Sequence, residues 1–274
     1  MPRNCRFQAL QISMVTLAIA LGSAMACMSQ VPTPSPAPTE TPAREPLSEA
    51  DPTKPILWVV RNEYRDLKEG AWSNTIVFRH DRFAFRSLSF KGGAKGLVAR
   101  FEVPISAVHV GNNTKAGLGD IYAQALFVPR ISRKFAFSLG SGLILPTATD
   151  TMLGSGKLTV APVAVPVWFS SNRKRLTTLR IQHYISIAGK GGRPGVNHTV
   201  ANPLIAWALS RQAWIFTDTE FKWDWRQKMG SAISGVQIGH SIGADTGLTI
   251  KMEIPWGPGR LGGFNVKVSF FTFR

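Results

Sequence analysis

The sequence contains little cysteine and little acid. Its two cysteines are Cys5 and Cys27, and Cys5 lies in an N-terminal segment with the pattern of a secretion signal. A disulfide framework or a thiolate metal site is therefore excluded from the mature chain. Asp and Glu number 16 against 32 Lys and Arg, which gives a formal charge of +16. In a soluble protein such an excess would suggest a nucleic-acid partner.

The bases form neither a basic helix nor an aromatic RNA-binding motif, so we expect no nucleic-acid partner. In a membrane protein, bases in turns can meet anionic lipid head groups, and inward-facing bases favour anionic solutes. The basic residues of the turn-like segments are Arg130, Arg133, Lys134, Arg173, Lys174, Arg175, Lys190 and Arg193.

Long apolar runs are also missing after the N-terminal segment. The longest candidate, residues 158–169, is interrupted by Pro162 and Pro166. A membrane-crossing helix needs about 18 or more consecutive apolar residues. We therefore expect no helix to span a membrane after the secretion signal.

Residues 1–26 are predicted to be a signal peptide. Arg3 and Arg6 supply a basic start, residues 12–21 are mostly apolar, and Ala24 and Ala26 form a small-x-small cleavage site. Cys27 would then be the first mature residue. Simple cleavage and lipidation of Cys27 both remain open, because Ala24 stands where lipoprotein signals usually have Leu. Residues 27–55 are rich in Pro and Thr and predict a flexible, extended linker.

The remaining chain, residues 56–274, is organised by alternation of apolar and polar side chains. In residues 179–187, Leu179, Ile181, Ile185 and Ile187 share one face. Runs of this kind are longer than the roughly 5–6 residues of an ordinary strand, and about 9–11 residues of strand cross a bilayer. We therefore predict an all-β fold, an antiparallel up-and-down transmembrane β-barrel of about 12 strands. A soluble periplasmic β-sandwich is the alternative fold.

The same alternation assigns a polar inner face of mixed charge. If opposite charges pair there, the lumen is rigid and narrow; if they segregate, a transverse field orients a polar or anionic solute. The predicted lumen-lining residues are Arg61, Glu63, Arg65, Arg100, Glu102, Arg180, Gln182, Asp218, Glu220, Lys222, Lys251, Glu253 and Lys267. The tryptophans expected at the membrane–water interface are Trp207, Trp214, Trp223, Trp225 and Trp256.

Catalytic and metal-binding patterns are weak. His183 with Ser186 and His240 with Ser241 are spaced so that their side chains lie on opposite faces of a strand, which disfavours nucleophilic catalysis. Asp218, with Glu220 and Asp224, could bind a divalent cation, but pairing with inner-wall bases is the favoured interpretation. We expect no cofactor, no catalytic residue and no metal site.

Three short motifs lie in the centre of the chain. They are Gly117-Leu118-Gly119-Asp120-Ile121, Leu145-Pro146-Thr147-Ala148-Thr149-Asp150 and Leu153-Gly154-Ser155-Gly156-Lys157. With them, the chain resembles the outer-membrane family associated with the phenol degradation meta-pathway. The resemblance implies a β-barrel and uptake of hydrophobic or aromatic compounds. The sequence departs from the usual barrel ending, because Arg274 follows the aromatic Phe273.

The motifs predict a loop between two strands. Gly117 and Gly119 are expected to adopt positive φ in a hairpin turn, and Asp150 is expected to accept backbone hydrogen bonds within the loop. A loop that only fixes hairpin shape and a loop folded inward to constrict the pore both remain open. The predicted loop residues are Gly117, Gly119, Asp120, Pro146, Asp150, Gly154, Gly156 and Lys157.

These observations predict a passive channel or transporter for small organic molecules in the outer membrane of a Gram-negative cell. A non-transporting structural or surface barrel and an outer-membrane lipid hydrolase are the alternatives. The expected partners are outer-membrane lipid including lipopolysaccharide, the barrel assembly machinery and a small organic solute.

Overall fold

The computed structural model describes residues 56–85, 94–129, 132, 134–243 and 245–272. The predicted signal peptide, Cys27 and the predicted linker lie outside the described residues, as do Phe273 and Arg274.

Alternating apolar and polar side chains form strands because each run can present one face to lipid and the other to the lumen. The strands of the described chain are β1 (Trp58–Lys68), β2 (Ala71–Phe85), β3 (Ala94–Val110), β4 (Asn113–Leu118), β5 (Ile121–Pro129), β6 (Phe135–Leu145), β7 (Lys157–Phe169), β8 (Arg175–Gly189), β9 (Asn197–Ala208), β10 (Ala213–Asp224), β11 (Met229–Ser241), β12 (Thr246–Trp256) and β13 (Asn265–Thr272).

The strands close into one antiparallel barrel. β1 pairs with β13, with Trp58 opposite Thr272, and β2 pairs with β3. β4 and β5 both pair with β3 and occupy one position in the wall, so the barrel has 12 strands. The predicted up-and-down barrel is confirmed, and the sandwich alternative is wrong because a single sheet closes on itself. In the described part of the chain, no helix is long and apolar enough to cross a membrane.

Two strands, β4 and β5, share one position in the wall. The chain turns at Gly111 (φ +61°) and forms β4, and the wall is then interrupted at Gly119 and Asp120 before β5 begins. The prediction that Gly117 and Gly119 adopt positive φ in a turn is wrong, because neither residue lies in the left-handed region. Their missing side chains serve close packing against a loop, as described below.

Side chains alternate between the lumen and the outer face along each strand. On β1, Val59 and Glu63 are only 5% and 6% exposed, whereas Trp58 is 53% exposed. On β12, Glu253 is 4% exposed, whereas its neighbours Met252 and Ile254 are both 65% exposed. The outer face is therefore apolar and the inner face polar over the middle of the wall.

The two ends of the barrel differ in their connections. Leu57 donates its amide to the Thr272 carbonyl (2.9 Å), so both ends of the described chain lie at one end of the barrel, the terminus end. At the terminus end, the connections 130–134, 170–174, 209–212 and 242–245 are four or five residues long in the sequence. The opposite end, the loop end, has short turns at 69–70, 111–112 and 225–228 and also three longer connections, at 146–156, 190–196 and 257–264. In bacterial outer-membrane barrels the short turns face the periplasm.

Apolar side chains fill the lumen near the terminus end and form what we call the apolar layer. Val165 of β7 packs against both of its clusters. The first cluster contains Ile56, Val59, Ala136, Val167, Phe169, Leu176, Ala206, Trp214, Phe216 and Phe271, and the second contains Val98, Leu126, Val128 and Val163.

The prediction that Trp214 lies at the membrane–water interface is wrong. Trp214 is 1% exposed inside the apolar layer, with its ring 6.0 Å from the ring of Phe271. Gly239 and Gly247 face these two rings, and a Cβ at either glycine would collide with the ring it faces. The absence of side chains at Gly239 and Gly247 therefore leaves space for the rings of Trp214 and Phe271. Of the other predicted tryptophans, Trp223, Trp225 and Trp256 are exposed near the loop end, and Trp207 is half-buried.

Candidate functional site: the chamber in the barrel lumen

The barrel encloses a cavity of about 910 Å³, which we call the chamber. The apolar layer forms its floor towards the terminus end, through Val59, Val98 and Leu126 among others. The loop at 146–156 contributes Leu153 and Ser155 to the opposite side. The chamber thus lies between a layer of apolar side chains and an inward-reaching loop.

Charges on the chamber wall are numerous but balanced. Arg61, Arg65, Arg79, Arg100, Arg180, Lys251 and Lys267 supply seven positive charges to the lining. Glu63, Asp81, Glu102, Asp120, Asp218, Glu220 and Glu253 supply seven negative charges. A pore with a balanced wall attracts neither anions nor cations over long range.

The first group of ion pairs lies on β1. Glu63, which is nearly buried, accepts from Arg61 Nε at 2.6 Å and from Arg65 Nη2 at 2.9 Å. Arg61 also lies 3.8 Å from Glu102 of β3. A carboxylate removed from water needs such partners, because burial without them costs several kcal/mol.

A second group lies on the neighbouring strands β2 and β3, around Asp81. Arg100 donates through Nε and Nη2 to the two oxygens of Asp81, at 3.0 and 3.1 Å, and Arg79 pairs with the same carboxylate. Sequence reasoning missed Arg79 and Asp81 as lumen residues. The signal was present, because both share the face of Val77 in the period-two pattern of β2.

A third group crosses β10, β12 and β13. Lys251 Nζ lies 2.8 Å from both Asp218 and Glu253, and Lys267 Nζ lies 2.9 Å from Glu253. Asn202 and Asn265 donate to the same two carboxylates, at 3.1 and 3.2 Å. The acidic row on β10 is therefore occupied by bases rather than arranged around a cation.

The rest of the acidic row is paired as well. Glu220 accepts from Arg180 of β8 at 3.0 Å, with both side chains more than a third exposed. Asp224 accepts the amides of the turn that follows β10. Within the described chain, no group of three His, Cys, Asp or Glu side chains could hold a metal ion.

The wall from β5 to β9 is mainly neutral and hydrogen-bonded. Gln182, which is 1% exposed, donates to the Tyr122 hydroxyl at 3.0 Å and to the Ala161 carbonyl at 3.3 Å. Tyr184 donates its hydroxyl to Gln182 Oε1 at 2.9 Å and stacks on His198 with ring centroids 4.7 Å apart. The chamber therefore has an ion-paired wall facing a wall of amide and aromatic groups.

Most of the predicted lumen residues line the chamber together. Gln182 lies behind Tyr122 and Tyr184 instead of lining the chamber, and Lys222 is on the inner face but is not part of the lining. The lining residues among the thirteen are Arg61, Glu63, Arg65, Arg100, Glu102, Arg180, Asp218, Glu220, Lys251, Glu253 and Lys267.

The loop at 146–156 is fastened to the interruption between β4 and β5. Asp120 Oδ2 accepts the Ser155 amide at 2.6 Å and the Ser155 hydroxyl at 3.0 Å, and Asp120 Oδ1 accepts the Ala148 amide at 3.2 Å. Thr147 Oγ1 accepts the Ile121 amide at 3.0 Å and donates to the Gly119 carbonyl at 2.9 Å. Both ends of the loop are thus bonded to the same point of the wall.

Glycines allow the loop to approach the wall closely. A Cβ at Gly117 would collide with Thr149, and one at Gly119 would lie 2.9 Å from Pro104 Cγ. A Cβ at Gly154 would collide with Ala148 and Asp120. The role of these glycines is therefore close packing, not the turn geometry that the motif suggested.

The remaining loop residues secure the far side of the loop. Arg193 Nη1 donates to the Gly154 carbonyl at 2.7 Å, and Lys157 Nζ donates to the Lys190 carbonyl at 2.8 Å. Gly156 takes positive φ (+66°) just before β7, and Pro146 directly follows β6.

Asp150 lies on the exposed part of the loop. It accepts the Met152 amide at 2.9 Å, and this hydrogen bond holds the pKa of the Asp150 carboxyl below its ordinary value. Lys115 of β4 lies 3.8 Å from the same carboxylate. Asp150 thus accepts a backbone hydrogen bond within the loop.

The histidines considered for catalysis lie away from the chamber. His183 is on the outer face, with Nδ1 2.9 Å from Thr199 Oγ1. His240 is exposed on the outer face of β11. Neither is close to the serine that the sequence places beside it, because successive side chains of a strand point to opposite faces.

No family model matches the chain, and no curated protein matches it. Solved structures do match it in fold. The KdgM porin gives a TM-score of 0.53 at 11% identity, covering 79% of this chain and 98% of that chain. The COG4313 outer membrane channel from Pseudomonas putida F1 gives a TM-score of 0.69 at 13% identity, covering 80% of this chain and 96% of that chain. The chain is thus similar in fold to outer-membrane channel barrels.

Proposed function

We propose that this protein is an outer-membrane channel for passive passage of small organic molecules in a Gram-negative cell. The observation that carries the proposal is the chamber of about 910 Å³ inside a closed barrel wall. A purely structural barrel has no need for an internal cavity of the size that binds small ligands, roughly 300–1,000 Å³.

The lining favours solutes without net charge. Its seven acids and seven bases are mostly ion-paired, so an ion entering the chamber gains little from the wall and loses hydration. Tyr184 and His198 offer stacking surfaces, and Val98 and Leu126 offer apolar contact in the same chamber. These features support a small hydrophobic or aromatic molecule with a few hydrogen-bonding groups, in keeping with the family that the sequence resembles.

Passage requires movement at both ends of the chamber. The loop at 146–156 reaches into the lumen at one end, and the apolar layer fills it at the other. We propose that thermal displacement of each opens a narrow path, so that the conductance is small and fluctuating.

Planar-bilayer recording and liposome swelling test the proposal. Purified protein whose folded state is verified by heat-modifiable gel mobility should give discrete conductance steps and admit small neutral solutes. A folded protein that gives neither conductance nor solute flux contradicts the channel. That result would support the alternative of a non-transporting structural barrel. The ion pairs between neighbouring strands and the packed apolar layer favour this alternative, because both make the lumen rigid.

We propose that the barrel is not a lipid hydrolase. His183 bonds to Thr199 on the outer face, whereas Ser186 lies on the opposite face of β8. His183→Ala and His240→Ala in a phospholipid hydrolysis assay decide the point. Hydrolysis that is present in the parent protein and lost in either variant would restore the enzyme alternative.

A further inference from the structure

Exposed bases occur at both ends of the barrel, but acidic residues accompany them mainly at the loop end. Three successive turns at the terminus end, 130–134, 170–174 and 209–212, contain bases and no carboxylate. At the loop end, Asp66, Glu69, Asp150 and Asp224 are interspersed with the bases. The exposed bases with described side chains in or next to the three turns, which we call the rim bases, are Lys134, Lys174, Arg175 and Arg211.

Hydrogen bonds fix these turns relative to one another. Phe169 donates its amide to the Lys134 carbonyl at 2.8 Å, and Ala208 donates its amide to the Lys174 carbonyl at 2.8 Å. Ser170 Oγ accepts the Arg175 amide at 3.0 Å. Since neighbouring strands lie about 4.8 Å apart, bases at alternate strands are spaced by roughly 10 Å along the rim. The rim bases therefore form a fixed row.

Aromatic side chains of the outer face lie directly beside this row. Arg175 is the cross-strand partner of Trp207, and their side chains share the outer face because Leu176 and Ala206 point inward. Trp168 is 45% exposed and packs against Phe135 at a ring distance of 5.7 Å. Tryptophans on the outer face of a barrel mark the level of the membrane–water interface. The rim bases then lie at or just beyond that level, where head-group phosphates are found.

The rim bases are also available for a ligand. Within the described chain, none of the four side chains makes an ion pair, in contrast to the seven bases of the chamber. An exposed, unpaired basic row beside interfacial tryptophans is suited to phosphate groups held at a membrane surface.

We infer that the terminus-end rim from β5 to β10 binds the head groups of anionic glycerophospholipids. The three long connections whose residues are described, 146–156, 190–196 and 257–264, lie at the loop end. In outer-membrane barrels the longer loops are extracellular, which makes the terminus end the periplasmic side. The lipid at that side is glycerophospholipid, whereas lipopolysaccharide occupies the opposite leaflet. This inference shares the proposed membrane location but does not depend on solute passage, so a protein without conductance could still bind the lipid.

Native mass spectrometry of the detergent-extracted protein tests the inference. The protein is mixed with equal amounts of phosphatidylglycerol and phosphatidylcholine of the same acyl chains, and the retained lipids are counted. The variant replaces Lys134, Lys174, Arg175 and Arg211 by Gln. The control replaces four exposed loop-end bases, Lys68, Lys190, Lys228 and Arg260, by Gln, so that it loses the same net charge.

The parent and the control should retain phosphatidylglycerol over phosphatidylcholine, and the rim variant should retain both equally. A base near an anionic surface strengthens attraction by roughly fivefold, so Arg175→Gln alone should lower the preference by about that factor. Equal preference in the parent and the rim variant overturns the inference. Equal loss in rim variant and control also overturns it, because net charge alone would then explain the effect.

Two further measurements keep the result interpretable. Heat-modifiable mobility identifies any variant that fails to fold, and Arg175→Gln then carries the comparison. The lipids that co-purify with the protein from the outer membrane identify the source, because the two leaflets are intact before extraction. The rim variant should lose glycerophospholipid and keep as much lipopolysaccharide as the parent, and a loss of lipopolysaccharide instead would overturn the assignment to phospholipid.

Discussion

Asp120 and Ser155 are joined by two hydrogen bonds to one carboxylate oxygen, at 2.6 Å from the Ser155 amide and 3.0 Å from its hydroxyl. They lie 35 residues apart in the chain. The pair ties the end of the loop at 146–156 to the interruption in the barrel wall. In the proposed channel, a solute that enters from the loop end passes the loop that this contact holds in place.

Asp120→Asn should increase channel conductance. One of the two oxygens becomes an amide nitrogen, which cannot accept, so either the Ser155 amide or the Ala148 amide loses its acceptor. Hydrogen bonds to a charged group contribute about 2 kcal/mol. Such a loss raises the population of the displaced loop roughly 30-fold. Single-channel recording should show larger or more frequent openings.

Thr151→Ala is the matched control for Asp120→Asn. Thr151 lies in the same loop, is exposed, and its hydroxyl bonds only to the adjacent Asp150 at 3.4 Å. Its conductance should equal that of the parent. If Asp120→Asn also leaves conductance unchanged, the loop does not limit passage.

Gly154→Ala should prevent the loop from seating. The added methyl group would meet Ala148 and Asp120, and overpacking of this kind typically costs about 1–3 kcal/mol. We expect higher conductance and faster proteolysis of the loop than in the parent. Gly191→Ala is the control, because a Cβ there meets nothing within 4 Å. Identical behaviour of the two variants would argue against close seating of the loop.

Ion selectivity should respond to single charges of the chamber wall. Lys251 neutralises parts of both Asp218 and Glu253, each at 2.8 Å, so Lys251→Met leaves excess negative charge in the lumen. The reversal potential in a KCl gradient should shift towards cation selectivity. Glu253→Gln should shift it in the opposite direction, because Lys251 and Lys267 then lose a shared partner.

Lys228→Met separates wall charge from overall charge. Lys228 is exposed in a loop-end turn, so its replacement removes one positive charge, as Lys251→Met does, but from outside the chamber. Its reversal potential should stay close to that of the parent. A shift as large as that of Lys251→Met would mean that the wall does not set selectivity.

Quenching by brominated lipid should distinguish Trp214 from Trp223. Trp214 is 1% exposed inside the lumen, whereas Trp223 is 44% exposed on the outer face. Replacing Trp223 by Phe should remove part of the quenched fluorescence, and replacing Trp214 by Phe should leave the quenched fluorescence unchanged. A loss of quenching on replacing Trp214 would contradict its position in the apolar layer.

Strand pattern and wall polarity could be predicted because both follow from a period of two. Trp214 was placed wrongly because a tryptophan near a strand end was assigned to the membrane–water interface. The period of two puts its side chain on the inner face, with Asp218. Only the pairing of β10 with β11 reveals that Gly239 leaves room for its ring. The spacing of residues within one strand does not show which residues of the adjacent strand lie opposite them.

The role of Asp120 could not be predicted for a related reason. Its partners Ala148 and Ser155 lie 28 and 35 residues away, and their approach depends on where the wall is interrupted. The motif glycines indicated a loop, but turn geometry and close packing both favour glycine. The choice between them required the positions of Thr149 and Pro104.

Through Thr147, the loop at 146–156 also supplies hydrogen bonds to the backbone of the barrel wall. The Thr147 hydroxyl bonds the Ile121 amide and the Gly119 carbonyl, and so replaces the backbone partners that the interrupted wall lacks at that point. When the loop moves away, the Ile121 amide should therefore lose its hydrogen bond and become open to exchange with solvent. Hydrogen exchange at that single amide would report how often the chamber opens, independently of any solute or applied voltage.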